Sequence, residues 1–450
     1  EGLAHYSYII GDGETAAVID PRRDCQVYVE LAHDAGLRIA HIMETHRNED
    51  LLSGSASLAR KTGASVHHGP NAAGDVRYAE TVHEGDCFAI GKLELRVLET
   101  PGHTDDSLSF AVYDRDFGDE AFGVFTGDTL FVGDVGRTDF YPDRAEEVAG
   151  LMFDSLRSLE ALGDQAVIYP AHGAGSVCGD AMAAREVSTI GYERSNNPRL
   201  RITDRDEFIA AKLAEQHETP PYFRYMERGN LAGAEDVQGS LRPPALSAPA
   251  VKELGNDVLF IDVRSPSAFL GAHLPKSLSL PEDMISAFAG WFLEPDDSIL
   301  LVADGPEQAA DAAMHLARIG YDNVRGFVGP NLVAWAASGG DFNTIRVVDT
   351  DEVAERLANA PADWTLLDVR SEREIEDDRI EPSTAVPIGE LPRRMGELDA
   401  AGAFTVMCGS GARATVAASL LLRGGFTRVD LFLGSLAAWK QEGLETSNAA

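Results

Sequence analysis

Positive charge is scarce in this 450-residue chain: 38 Lys and Arg stand against 73 Asp and Glu, a formal charge of −35. Such a surface repels phosphate backbones and anionic headgroups, so nucleic acid is excluded as a partner class, and the even spread of the acids argues for a solvated surface rather than an acidic tail. Cysteine is equally sparse. Cys25, Cys87, Cys178 and Cys408 are widely spaced and form no C-x-x-C pair, which excludes a disulfide framework and fits a reducing, cytoplasmic setting. Apolar runs of about 18 residues are absent, and the opening EGLAHYSYII carries neither a basic leader nor a small-residue cleavage pattern. Neither a membrane span nor an export signal is expected.

What is present divides into about three units of ~150 residues. In the first half, YSYIIG, AAVIDP, IAHIMETH, LELRVLETPGH, FGVFTGD and AVIYPAHG are short apolar runs ending in polar punctuation, with helix-like stretches at 50–62 and 144–162. That pattern predicts a layered α/β domain over residues 1–235 whose polar groups gather beyond strand ends. Residues 236–249, DVQGSLRPPALSAP, read as a linker. The remainder repeats itself: LFIDVRSPSAF (259–269) matches LLDVRSEREI (366–375), and GFVGPNLVAW (326–335) matches LFLGSLAAW (431–439). A spacing near a hundred residues is a domain duplication, giving parallel-sheet α/β domains at 250–345 and 346–450.

Chemistry-bearing residues of the first domain fall in five segments: ETHRNED (His46, Asn48, Asp50), TPGHTDDS (His103), FTGDTLFVGDVGRTDF (Asp128, Arg137, Asp139), YPAHG (His172) and ERSNNPRL. One such residue alone is an ordinary loop residue; five segments, each following an apolar strand, form a constellation. His67, His68 and His273 lack such context and read as core or surface residues. In the last domain, FTVM runs into Cys408-Gly409-Ser410-Gly411-Ala412-Arg413 and then a helix-like stretch. A thiol between a strand end and a helix N-terminus meets free N–H groups and the positive end of the helix dipole, and Arg413 adds a cation. The first copy has Asp304 at the cysteine position and Ala309 at the arginine, and is expected to be catalytically silent.

The order T-H, P-G-H-T, T-G-D-x-L, G-R-T-D-F and Y-P-A-H-G resembles the metallo-β-lactamase superfamily, its persulfide dioxygenase branch above all. C-x-x-G-x-R with Asp368 and Arg370 upstream and Gly434 and Trp439 downstream resembles the rhodanese active loop. The resemblance implies an αββα sandwich followed by two rhodanese-like parallel-sheet domains, with His46, His103 and Asp128 as ligands of one Fe(II) per chain. Where superfamily hydrolases carry H-x-H-x-D-H for two zinc ions, this chain has His46-Arg47-Asn48-Glu49-Asp50-Leu51. An amide is a poor zinc ligand and leucine is none, so a complete dinuclear site is not expected, whereas two imidazoles and a carboxylate suit non-haem iron. Asn48, Asp50, Arg137, Asp139 and His172 are then expected to orient ligands or meet substrate, with Cys408 and Arg413 carrying sulfur transfer and Gly409 to Ala412 cradling the persulfide. The implied partners are a small thiol persulfide, O2 and sulfite or thiosulfate. A thiolester hydrolase of the glyoxalase II type and a non-enzymatic sulfur carrier are the alternatives, and oligomeric state is open.

Overall fold

The computed structural model describes residues 2–70, 74, 76–179, 182–237, 241–255, 257–329 and 332–447. The chain forms two compact units, one of Glu1–Gln238 with Ala317–Gly320, the other of Gly239–Leu316 and Tyr321–Ala450.

In the first unit, β1 (Tyr8–Asp12), β2 (Thr15–Ile19), β3 (Arg38–Met43), β4 (Ser65–His68) and β5 (Glu80–Thr81) form one sheet in that order. A second sheet runs from β6 (Cys87–Ile90) through β7 (Leu93–Glu99), β8 (Leu108–Asp114), β9 (Ala121–Gly127) and β10 (Val167–Pro170) to β11 (Ser188–Thr189). Alternation drives the facing: in LELRVLE, Leu95 and Val97 are fully buried while their neighbours are part-exposed. Ala17, Ile19, Met43, Leu95, Val97, Phe110 and Phe125 make one shared core between the sheets. On the outer faces, Tyr28, Ala32 and Leu58 of helices Gln26–Asp34 and Ser55–Thr62 cover the first sheet, and Met152, Leu156 and Phe208 of Ala145–Glu160 and Arg205–Leu213 cover the second. Helix, sheet, sheet, helix is the expected αββα order. Truncating a ring such as Phe110 to alanine in so closed a core costs about 3–5 kcal/mol.

One glycine fixes a functional loop. Gly102 has φ +144°, and a Cβ there would lie 2.5 Å from Met152 Cα, so only glycine lets the P-G-H turn press against the helix backbone and aim His103 inward.

The second unit holds two sheets in which every pairing is parallel. The first, with order β13-β12-β14-β15, comprises β12 (Val258–Asp262), β13 (Leu278–Ser279), β14 (Ser298–Val302) and β15 (Val324–Val328). The other comprises β16 (Arg346–Val348), β17 (Trp364–Asp368), β18 (Thr384–Ala385), β19 (Ala403–Met407) and β20 (Val429–Phe432), in the order β16-β20-β19-β17-β18. Both copies of the duplication thus fold alike but share one compact unit. The helix Ala412–Arg423 is buried from Ala414 to Leu421, and Ser419 Oγ accepts the β13 Ser279 N–H at 3.0 Å, so this helix serves both sheets. Within the linker segment, residues 238–240 lie outside the described residues. Ala245 forms a parallel bridge to Phe327, and a helix begins at Ala248. Positions 330 and 331 of the repeated segment also lie outside the described residues.

Candidate metal centre and sulfur-transfer loop

His46 follows β3 by three residues, His103 follows β7 by four and Asp128 directly follows β9, so strand ends deliver all three. One ligand atom from each lies within 4.8 Å of the others, and all three residues are buried. His103 Nε2 is 3.3 Å and His46 Nε2 is 3.7 Å from Asp128 Oδ2. The opposite ring nitrogens are already engaged. His103 Nδ1 donates to the Arg137 carbonyl at 3.0 Å. His46 Nδ1 lies 2.8 Å from Thr45 Oγ1, whose own proton goes to Asp20. Each contact puts the proton on Nδ1 and leaves the Nε2 lone pair facing the centre. Burial keeps both rings neutral, pushing His46 down to about 4 and His103 below its ordinary value. Burial works to raise the Asp128 carboxyl, but the surrounding imidazoles, His172 foremost with its hydrogen bond, then His46 and His103, together outweigh it and hold the group well below the usual range. Buried His103 Nε2 has no hydrogen-bond partner. Two neutral imidazoles and one carboxylate converging on a point, with an orphaned donor atom among them, fit a divalent metal ion.

A second buried group adjoins the first. His172 Nδ1 is 2.7 Å from Asp128 Oδ1 and its Nε2 is 3.1 Å from Asp50 Oδ2. Cys178 joins Asp50 and His172 as a trio of potential donors. Nothing in the sequence marks Cys178, since a lone cysteine in a glycine-rich loop carries no spacing signal. Glu49 is buried as well: its Oε2 lies 3.9 Å from His103 Nε2 and makes no hydrogen bond, while its Oε1 accepts from Arg47 Nη2 at 3.4 Å. Asn48 is buried but outside both trios; its carbonyl accepts from Asn230 at 2.7 Å. Arg137 is bound at Nε and Nη2 by Asp139, both at 2.7 Å, and its guanidinium lies 4.8 Å over Phe140, so this pair braces the G-R-T-D-F loop.

In the second unit, Cys408 is 1% exposed at the junction of β19 and the helix Ala412–Arg423. Its sulfur accepts the Gly411 N–H at 3.0 Å, and its own N–H donates to Ser435 Oγ at 3.1 Å. Arg413 pairs with Glu374. Asp368 and Arg370 brace one another at the end of β17, with Arg370 Nη2 2.6 Å from Asp368 Oδ2. In the first copy of the duplication, Asp304 is exposed, and Gln308 fills the equivalent turn, accepting the Asp304 N–H and donating to the Val263 carbonyl.

A sandwich with an imidazole and carboxylate centre at its strand ends, joined to paired parallel sheets of which one presents a cradled thiol, defines the class. The chain belongs to the metallo-β-lactamase superfamily, matched over residues 1–172, and carries rhodanese-like domains matched over 247–329 and 349–442. It is 30% identical over 214 residues to "Persulfide dioxygenase ETHE1, mitochondrial" of Bos taurus, covering 45% of this chain and 74% of that protein. It is 31% identical over 254 residues to a hydroxyacylglutathione hydrolase of Bradyrhizobium sp., covering 53% and 92%. Among solved structures it is similar to a metallo-β-lactamase from Staphylococcus aureus subsp. aureus COL, with a TM-score of 0.66, 32% identity and coverage of 73% of this chain and 97% of that one. Among the described residues no helix is long and apolar enough to cross a membrane.

Proposed function

We propose that this chain is an iron(II) persulfide dioxygenase, residues 1–235, joined through 236–249 and a silent rhodanese-like domain, 250–345, to a sulfurtransferase domain, 346–450, acting on small cytoplasmic thiol persulfides. The observation that carries the reading is the convergence of two neutral imidazoles and one carboxylate, a facial set that leaves coordination positions for substrate and O2. His46, His103 and Asp128 would hold the iron(II), which when bound would supply a Lewis-acid seat for sulfur and a redox relay between that sulfur and O2. The reaction balances as R-S-SH + O2 + H2O → R-SH + SO3²⁻ + 2 H⁺. This chain's residues hold the rings in one tautomer through Thr45 and the Arg137 carbonyl, and His172 keeps Asp128 ionised. Cys408 then attacks the sulfane sulfur of a second persulfide, releasing R-SH. Sulfite takes that sulfur from Cys408-S-S⁻, giving thiosulfate and restoring the thiolate that Gly411 N–H cradles. The reverse flow, loading Cys408 from thiosulfate, uses the same groups.

A second reading, thiolester hydrolysis, is favoured by the hydroxyacylglutathione hydrolase relatives and by the Asp50, His172 and Cys178 trio. Anaerobic iron loading separates the two. With glutathione persulfide the loaded protein consumes O2 and yields thiosulfate, Cys408→Ser shifts the yield to sulfite, and His46→Ala stops O2 uptake. Two zinc ions per chain with thiolester turnover and no O2 uptake would replace this reading with the second.

A further inference from the structure

His68, on β4, occupies no place in the reaction described above, yet it is 2% exposed and lies between two buried carboxylates. Its Nδ1 is 2.8 Å from Glu44 Oε2 and its Nε2 is 3.2 Å from Asp106 Oδ2. Carboxylates only accept, so a ring bonded to one at each nitrogen donates from both and is an imidazolium. Burial alone would lower its pKa, but the hydrogen bonds to Asp106 and Glu44 raise it to about 10.

The position of the two acids gives this pairing its meaning. Glu44 precedes His46 by two residues, and Asp106 follows His103 by three. Asp106 Oδ1 also accepts the Arg47 N–H at 3.4 Å and the Thr104 hydroxyl at 2.6 Å, which ties it to both loops. Glu44 is held in turn by the hydroxyls of Ser53 and Tyr78. The backbone is built for this approach. A Cβ at Gly69 would stand 2.2 Å from the Asp106 carbonyl oxygen, so only glycine lets the chain leaving His68 pass the His103 loop so closely.

We infer that His68 is a positioning residue: its imidazolium clamps the loop carrying His46 to the loop carrying His103 and thereby fixes the separation of the two imidazole ligands. The inference rests on reading His46, His103 and Asp128 as the metal site. Removing the cation takes away the bridge between two buried carboxylates, each still held by its other donors, so nothing offsets their mutual repulsion across the gap between the Glu44 and Asp106 side chains. Groups that orient ligands from outside the coordination sphere typically contribute about 10–100-fold to metal affinity.

The test uses the full chain loaded with Co(II), which reports ligand geometry through its visible d–d absorption. His68→Gln is compared with the parent and with His67→Gln, a change on the opposite face of the same strand. Asp106→Asn is the second variant if His68→Gln does not fold. Expected are altered Co(II) bands and an affinity lower by about 10–100-fold in competition with a chelator, while His67→Gln keeps the parent spectrum even if its melting temperature falls. A parent spectrum and affinity in His68→Gln or Asp106→Asn, whatever their melting temperatures, would overturn the clamp alone. Failure of the parent to bind Co(II) would overturn the metal-site reading and the clamp with it.

Discussion

Arg413 is engaged by Glu374, Nη1 to Oε2 at 2.6 Å and Nη2 to Oε1 at 2.8 Å, while the Cys408 sulfur accepts from the Gly411 N–H at 3.0 Å and from the Ser435 hydroxyl at 4.0 Å. Glu374 also caps the helix Glu372–Asp377 by a reciprocal bond with Ser371. Burial would raise the Glu374 carboxyl, but Arg413 pulls it down to about 2. The ion pair therefore holds the far end of the six-residue loop, while the helix N-terminus faces the sulfur.

Glu374→Gln keeps the helix cap but leaves Arg413 without its anionic partner. The pair is part-exposed, so its loss is worth about 1 kcal/mol or less in stability. The expected outcome is a fall of roughly 3–10-fold in kcat/KM for thiosulfate to cyanide sulfur transfer, with the O2-consuming reaction unchanged. Equal kcat/KM in the two proteins would show that loop position does not depend on the pair.

Each ligand of the proposed triad is separately required. Asp128→Asn removes the charge that the two imidazoles face, and iron content after anaerobic loading and desalting should fall from near one per chain to below about a tenth. Cys408→Ser should retain full iron and full O2 uptake, because Cys408 belongs to the second compact unit. Elemental analysis with an oxygen electrode checks both, and iron loss in Cys408→Ser would contradict the assignment of separate chemistries.

The layered fold was legible because strand alternation and strand-end punctuation are local signals, and they also placed His46, His103 and Asp128 after apolar runs; their choice as a ligand set came from the resemblance. The paired parallel sheets were legible from repetition. What stayed hidden depends on contacts distant in sequence. His68 read as a plain core or surface histidine, since its partners lie 24 and 38 residues away. Cys178 reaches Asp50 and His172 only through folding of a glycine-rich loop. The sharing of one compact unit by both copies of the duplication rests on small residues of the helix Ala412–Arg423, among them Ser419 against Ser279, and small residues in a helix announce no partner.

The Asp50, His172 and Cys178 trio predicts a pH-dependent competition between protons and a second metal. Burial, reinforced by Asp128 and Asp50, holds the Cys178 thiol well above its ordinary pKa, and the same two carboxylates raise His172 against the effect of burial. A thiol and an imidazolium must both lose protons to become ligands. At pH 7 one metal per chain should survive desalting, with a second zinc or cobalt equivalent bound only as pH rises. Cys178→Ser should leave the first equivalent within about twofold of the parent. A thiolate-to-cobalt charge-transfer band already present at pH 7, and lost in Cys178→Ser, would show the second site filled and strengthen the hydrolase reading.

The His68 ion pairs also set the sign of a stability change with pH. The folded pKa, about 10, lies above the unconstrained 6.5, so the folded state holds a proton that the unfolded chain releases between those values. The stabilisation from this proton is complete below about pH 6.5 and declines as pH climbs toward 10. In metal-free protein, the melting temperature of the parent minus that of His68→Gln should therefore be largest near pH 6 and shrink steadily toward pH 10. Other groups titrating in that window, such as tyrosines and lysines, are common to both proteins and cancel in the difference. A difference that stays flat, or widens, across pH 6–10 would mean that the ring is not the cation between Glu44 and Asp106.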